Sequence, residues 1–255
     1  MKLITLMENT ACREGLVCEH GLSLYMETET RKVLFDAGQS GAFVENAEKL
    51  GVDLGSVDMA ILSHGHYDHG GGLSRFLEVN ENAPVYLSRH AFGIHFNARE
   101  AYIGLEPGLQ KSSRLIFTDG AESLGGGLTL HTLDVPPADT SGLKVLEEGQ
   151  LRPEDFRHEQ YLLIEEKGRR ILISGCSHKG ILNIMEAFQP DILIGGFHFM
   201  KVEAAEWLKA AAEELLRYPA VYYTGHCTGQ RQFAILKEVM GERLHYLAAG
   251  SVLEL

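Results

Sequence analysis

The chain has 255 residues, with 23 Lys+Arg against 35 Asp+Glu and a formal net charge of −12. A surface this acidic lacks the basic field that nucleic acid or an anionic membrane requires, and no apolar run of about 18 residues exists to cross a bilayer. Its 45% hydrophobic content is that of a globular chain rather than a disordered one.

The N-terminus reaches Glu8 too early for a signal peptide, so the expectation is a cytoplasmic protein of one domain spanning 1–255. Cys12, Cys18, Cys176 and Cys227 form no CxxC pair, which argues against a structural zinc finger. The 12 histidines stand out, because imidazole is the commonest metal ligand and titrates near neutrality.

Leu3–Met7 reads as a strand, and Leu22–Met26 with Lys32–Phe35 as a hairpin around a polar turn. The spacing of Phe43, Ala47 and Leu50 predicts a helix from Ala42, stopped at Gly51. Asp58–Ser63 reads as a buried strand running into His64, with an apolar helix at Leu73–Val79 and a strand at Pro84–Leu87. Residues 88–118 look irregular, with scattered aromatics and a local basic bias. A strand at Leu128–Leu133 precedes a long loop over 134–158, and loops of this length usually carry function. Tyr161–Ile164 and Arg170–Ser174 flank a turn at Lys167-Gly168. Helices at Ile181–Phe188, Val202–Arg217 and Gln230–Met240 then alternate with strands at Asp191–Ile194, Ala220–Tyr223 and Leu244–Leu247. This order predicts an α/β protein with strands early and α/β alternation late.

Four strands end the same way. Each meets a glycine or serine and then a histidine: Ser63-His64, Gly175-Cys176-Ser177-His178, Gly196-Phe197-His198 and Gly225-His226. Strand ends feeding loops are where a sheet presents side chains to a common cleft. The run at 64–69 is the sharpest, placing His64, His66, Asp68 and His69 within six residues. In an extended stretch His64, His66 and Asp68 share one face. Two neighbouring metals could divide the set, His64 and His66 on one, Asp68 and His69 on the other. Imidazole and carboxylate donors suit Zn²⁺, Mn²⁺ or Fe²⁺.

HGHYDHGGG at 64–72 resembles the HxHxDH signature of the metallo-β-lactamase superfamily. Leu34-Phe35-Asp36-Ala37-Gly38 is similar to that superfamily's first motif, which implies a site-shaping role for Asp36. Ile171 to Cys176 resembles its later Gly-Asp strand, and Gly225-His226 its final metal histidine. The resemblance implies an αββα sandwich and one or two divalent ions, zinc above all, held by His64, His66, Asp68, His69 and His226. Two positions depart from the pattern. Cys176 stands where a bridging aspartate is usual, and Glu154 stands where the third histidine of the first metal is expected. His178 is a candidate replacement, and His158 another.

EHGLSLYMET at 19–28, GCSHKGILNI at 175–184 and TGHCTG at 224–229 further resemble the dihydropteroate-synthase-like branch. That branch includes archaeal enzymes joining a dihydropterin methyl diphosphate to an aminobenzene ribofuranosyl phosphate, while many bacterial members are known only as metal-dependent hydrolases. The expected function is therefore metal-dependent hydrolysis of a small phosphorylated or ester-like substrate, with Asp68 and His198 as catalytic groups. The alternative is pterin transfer to an aromatic amine, and a third reading is a non-enzymatic ligand-binding protein. A redox di-iron centre is disfavoured, because such relatives carry glutamate where this chain has His66. Arg89, Arg99, Lys111 and Arg114 are expected to meet an anionic substrate, and Phe92, Phe96 and Tyr102 to stack on a flat ring.

Overall fold

The computed structural model describes residues 1–138 and 142–255. Residues 139–141, part of the expected 134–158 segment, lie outside the described residues. Two seven-stranded sheets face one another. In the first, the strands run in the order Val252–Glu254, Lys2–Met7, Ser23–Glu27, Lys32–Phe35, Met59–Ile61, Val85–Ser88 and Leu115–Thr118. In the second the order is Leu244–Tyr246, Val221–Thr224, Ile192–Ile194, Arg169–Ile173, Tyr161–Glu166, Leu128–His131 and Glu122–Gly125.

Side-chain alternation builds the layers. Leu24, Met26, Val33 and Phe35 of the first sheet meet Leu162, Ile164, Ile171 and Ile173 of the second in one buried cluster. The intervening residues point outward: Tyr25 and Leu34 toward the helices Ala42–Lys49 and Leu73–Val79, Tyr161 and Leu163 toward Ile181–Phe188, Ala205–Leu216 and Gln230–Met240. Ile181, Ile184, Met185 and Phe188 are the buried stripe of their helix, at the i, i+3, i+4, i+7 spacing that makes one helical face. Helix, sheet, sheet, helix is the αββα sandwich expected. Among the described residues no helix is long and apolar enough to cross a membrane.

The two stretches read as irregular hold structure. Ile94–Phe96 pairs with Lys144–Glu147, which makes a hairpin with Gln150–Pro153, a third small sheet. The hairpin turns on Glu148 and Gly149, both at positive φ (50° and 77°), a conformation matched to strand twist. With Glu rather than Asn or Asp at the first turn position, the usual sequence signal was missing. Leu115–Thr118 adds a parallel edge strand beside Val85–Ser88. Short exposed edges such as Val252–Glu254 and Glu122–Gly125 carry too few apolar residues to be read from pattern alone.

Lys32–Phe35, Met59–Ile61 and Val85–Ser88 are mutually parallel, and so are Arg169–Ile173, Ile192–Ile194 and Val221–Thr224. In parallel sheets ligands sit beyond the carboxyl ends of the strands. Asp36, His64, Cys176, His198 and His226 all follow such ends.

Candidate metal centre

Asp36 follows its strand in a left-handed conformation, φ 59°. Its buried carboxylate accepts the Ser63 backbone N–H at 2.7 Å, the Ser63 hydroxyl at 2.7 Å and His69 Nδ1 at 2.6 Å. With its own proton given to Asp36, Ser63 Oγ accepts from His64 Nδ1 at 2.8 Å. His226 Nδ1 lies 2.9 Å from Asn9 Oδ1, an acceptor, and the His226 backbone N–H donates to Glu8 Oε1 at 2.5 Å. In all three rings Nδ1 therefore carries a proton and Nε2 is the atom presented to the centre. Carboxylates and carbonyls that hold the far nitrogen of a histidine are the usual support of a metal ligand.

The bare nitrogens converge. His69 Nε2 lies 3.1 Å from His226 Nε2 and 3.2 Å from Cys176 Sγ. Asp68 Oδ2 lies 3.8 Å from His69 Nε2 and 3.4 Å from His226 Nε2. His64 Nε2 and His178 Nε2 are 3.4 Å apart, and His66 Nε2 is buried without a hydrogen-bond partner. Donors packed this closely suit a shared cation, which would displace the second proton of His69 and offset the crowding of the remaining lone pairs. The donor set fits divalent metal. Asp68, His69, Cys176 and His226 each offer an atom within 4.8 Å of the others, and so do two further groups, His64 with Cys176 and His178, and His64 with His66 and Asp68. Cys176 belongs to both sides, the place of the aspartate usual in the superfamily.

The structure places His178 and His158 differently. His158 Nδ1 accepts the Gly65 backbone N–H at 2.8 Å. Its proton then sits on Nε2, and an N–H cannot coordinate. His178 stands beside His64, stacked on Phe156 with centroids 4.1 Å apart, and its backbone N–H donates to Glu159 Oε1 at 2.7 Å. His158 joins His66, His95 and Glu154 in a separate buried group whose ligand atoms also lie within 4.8 Å of one another, and in it Glu154 Oε2 lies 2.5 Å from His95 Nδ1. Two glycines permit the packing: a Cβ at Gly65 would fall 2.0 Å from Ala91 O, and one at Gly175 2.2 Å from Ser63 Oγ.

Burial and the crowding of neighbouring imidazoles hold His64 and His178 well below the usual histidine range, and His66 at about 3. His69 is the opposite case. Burial opposes its charge, but Asp36 and Asp68 outweigh burial and raise it to about 9. Asp68 is likewise penalised by burial, yet His69, His20 and His226 hold it well below the carboxylate range. Replacing Asp36 by asparagine removes the acceptor that fixes both Ser63 and His69. The expected result is a loss of metal affinity of roughly 10- to 100-fold, read by competition with a chromogenic chelator.

A pocket of about 230 Å³ opens on the centre, lined by His20, His66, Asp68, Cys176, His198 and Lys201 among others. A second of about 520 Å³ adjoins it, with His178 and His198 in both walls. The four cations expected to bind substrate are not in either lining. Arg89 pairs with Asp119 at 3.0 Å, and Arg114 is committed to the Leu77 and Asn80 carbonyls beside the helix Leu73–Val79. Arg99 and Lys111 are exposed. Phe92 packs on Phe117, and Phe96 on Tyr102. Sequence spacing showed the charges but not which way the segment faces. Among the described residues Lys201 is the cation lining the cleft, and His20, 3.2 Å from Asp68 Oδ2, was given no role although it stands in the EHGLSLYMET run.

The model of the metallo-beta-lactamase superfamily matches residues 16–226. An enzyme of Methanocaldococcus jannaschii, the 7,8-dihydropterin-6-methyl-4-(beta-D-ribofuranosyl)-aminobenzene-5'-phosphate synthase, is 28% identical to this chain over 100% of its length and 96% of the enzyme's own. A crystal structure described as a metal-dependent hydrolase of the beta-lactamase superfamily is 29% identical, with TM-score 0.84 and coverage of 100% of this chain and 99% of that one. The metallo-beta-lactamase fold protein YhfI from Bacillus subtilis shares the fold at 15% identity, TM-score 0.64, over 100% and 98% of the two chains. With its fold, its HGHYDHGGG run and the match over most of its length, the chain belongs to the metallo-beta-lactamase superfamily.

Proposed function

We propose that the protein is a metal-dependent hydrolase of a small, anionic, phosphorylated or ester-like molecule. The observation that carries this reading is the set of imidazoles whose Nδ1 protons are tied down, so that the Nε2 atoms of His64, His69 and His226 converge beside Asp68. His64, His66 and His178 would hold one ion, and Asp68, His69 and His226 the other, with Cys176 between them. Bound divalent metals supply Lewis acidity and acidify water.

The chain's own groups would do the rest. Asp68, hydrogen-bonded to the half-exposed His20, orients the incoming water and passes its proton outward. Lys201 offers a positive charge to the anionic end. His198, at φ 59° and 4.3 Å from the His178 ring, faces both pockets and can protonate a leaving group. His198→Ala is expected to lower kcat by about 10²-fold with bound metal unchanged. Metal loss in that variant, measured by elemental analysis, would show a structural role instead.

A second reading is favoured by the full-length similarity to the archaeal synthase. Here the same residues would hold a diphosphate leaving group while an aromatic amine attacks the methylene carbon, and water would be excluded from the cleft. Metal analysis with two assays separates the readings. One is a panel of phosphodiesters, esters and lactones. The other is dihydropterin methyl diphosphate with an aminobenzoate-type amine. Condensed product with little hydrolysis establishes the synthase, and turnover of the panel alone the hydrolase. A protein that binds no divalent metal overturns both.

A further inference from the structure

His158, Glu159 and Gln160 stand at the entry to Tyr161–Glu166, an interior strand of the second sheet, and all three are buried. Burying consecutive polar side chains is costly unless each finds partners, and here each finds them on a different segment. Gln160 reaches across to the first sheet. Its backbone N–H donates to Ser63 O at 2.8 Å and its Nε2 to Leu62 O at 2.7 Å, while its Oε1 accepts the Thr118 hydroxyl at 2.7 Å. His158 Nδ1 accepts the N–H of Gly65, the residue between His64 and His66, at 2.8 Å, and Glu154 Oε1 faces its Nε2 at 3.6 Å. Glu159 turns the other way, to the second sheet. Its Oε1 accepts the His178 N–H at 2.7 Å, and its Oε2 accepts the Lys179 N–H at 2.9 Å and the Tyr161 hydroxyl at 2.6 Å. The turn before the triplet adds a further tie: the Phe156 carbonyl accepts the Glu159 N–H at 3.0 Å, and the Phe156 ring lies on that of His178.

His64 and His178, with Nε2 atoms 3.4 Å apart, follow strands of different sheets. Apolar contact between the sheets is non-directional, so it spaces the layers without fixing that distance. Hydrogen bonds have preferred lengths and directions, and a binding constellation has to be held within about 0.5 Å. We propose that His158, Glu159 and Gln160 are positioning residues, a strut that sets His64 and His66 of the first sheet against His178 of the second at the spacing a single ion needs. The inference rests on the metal-dependent reading and adds two demands of its own. His158 acts as a hydrogen-bond acceptor and not as a ligand. The strut serves the ion of His64, His66 and His178 alone, because His69 and His226 are held instead by Asp36, Asn9 and Glu8.

Zinc binding to the full chain is followed by chelator competition, with His178→Ala and His226→Ala as references that mark the two ions. His158→Ala and Glu159→Ala are each expected to weaken the ion that His178→Ala removes by about 10- to 100-fold, and to leave unchanged the ion that His226→Ala removes. His158→Asn keeps an acceptor oxygen for the Gly65 N–H but offers no ring nitrogen to a metal, and is expected to restore parental binding. Circular dichroism checks the fold of each variant. Where Glu159→Ala does not fold, Glu159→Gln takes its place. It keeps Oε1 for His178 and loses the acceptor for Lys179, so it is expected to weaken the same ion alone. Parental affinity in the His158→Ala or Glu159 variant, equal weakening of both ions, or a loss in His158→Asn as large as in His158→Ala overturns the strut. If neither reference substitution lowers bound zinc, the metal-dependent reading itself falls.

Discussion

Replacing His64 or Asp68 by alanine is expected to reduce turnover by about 10³-fold or more, because metal-assisted stabilisation of the reacting group is worth several kcal/mol. Bound metal should fall with it, since each residue belongs to a group whose ligand atoms lie within 4.8 Å of one another. The fold should persist. Both side chains sit beyond strand ends, outside the three apolar clusters that hold the layers together. Elemental analysis, circular dichroism and turnover on the same samples check this. Full metal content and activity in both variants would sink the site assignment. Metal retained with activity lost would leave Asp68 a proton-handling group only.

The metal-free protein is expected to be acid-sensitive to an unusual degree. Burial and neighbouring imidazoles lower His64, His66, His158 and His178 below their ordinary value of 6.5. The unfolded chain therefore binds protons that the folded chain refuses. Stability is fully present above about pH 6.5 and is lost as the pH falls from there toward the folded values, about 3 for His66. Each such group changes stability by at most about 1.4 kcal/mol per pH unit, so the four together change it by at most about 5.6 kcal/mol per unit. A domain of ordinary stability, about 5–15 kcal/mol, would unfold within one to a few units. His69 acts on the other side. Its raised value, about 9, gives a contribution present below pH 6.5 and lost as the pH rises through about 9. Urea unfolding of metal-free protein should show a maximum near neutrality. A flat profile between pH 7 and 5 would refute this account.

The sandwich was legible because alternation in the central strands is clean and the late helices carry full apolar stripes. The HGHYDHGGG run and the histidines after four strand ends pointed to one cleft. The different settings of His178 and His158 were not legible, because they depend on which ring nitrogen carries the proton. That is decided by the backbone N–H of Gly65, a contact across 93 residues. Glu8, Asn9 and His20 reach the centre because the strand Lys2–Met7 pairs between Ser23–Glu27 and Val252–Glu254, and no local spacing announces that. The four cations at 89–114 lie outside the linings of both pockets, and charge counts carry no direction.

The ligand candidates come from both sheets, His64 to His69 from the first and Cys176 to His226 from the second. Their partners are separated by more than a hundred positions, as in the 157-residue span between His69 and His226. Contacts of such long range form late in folding, after loop closure has been offset by local structure. His64, His66 and Asp68 stand together within the first half, but neither half alone holds the full donor set. On the proposed reading, completion of metal uptake by a refolding chain would report the docking of the two sheets.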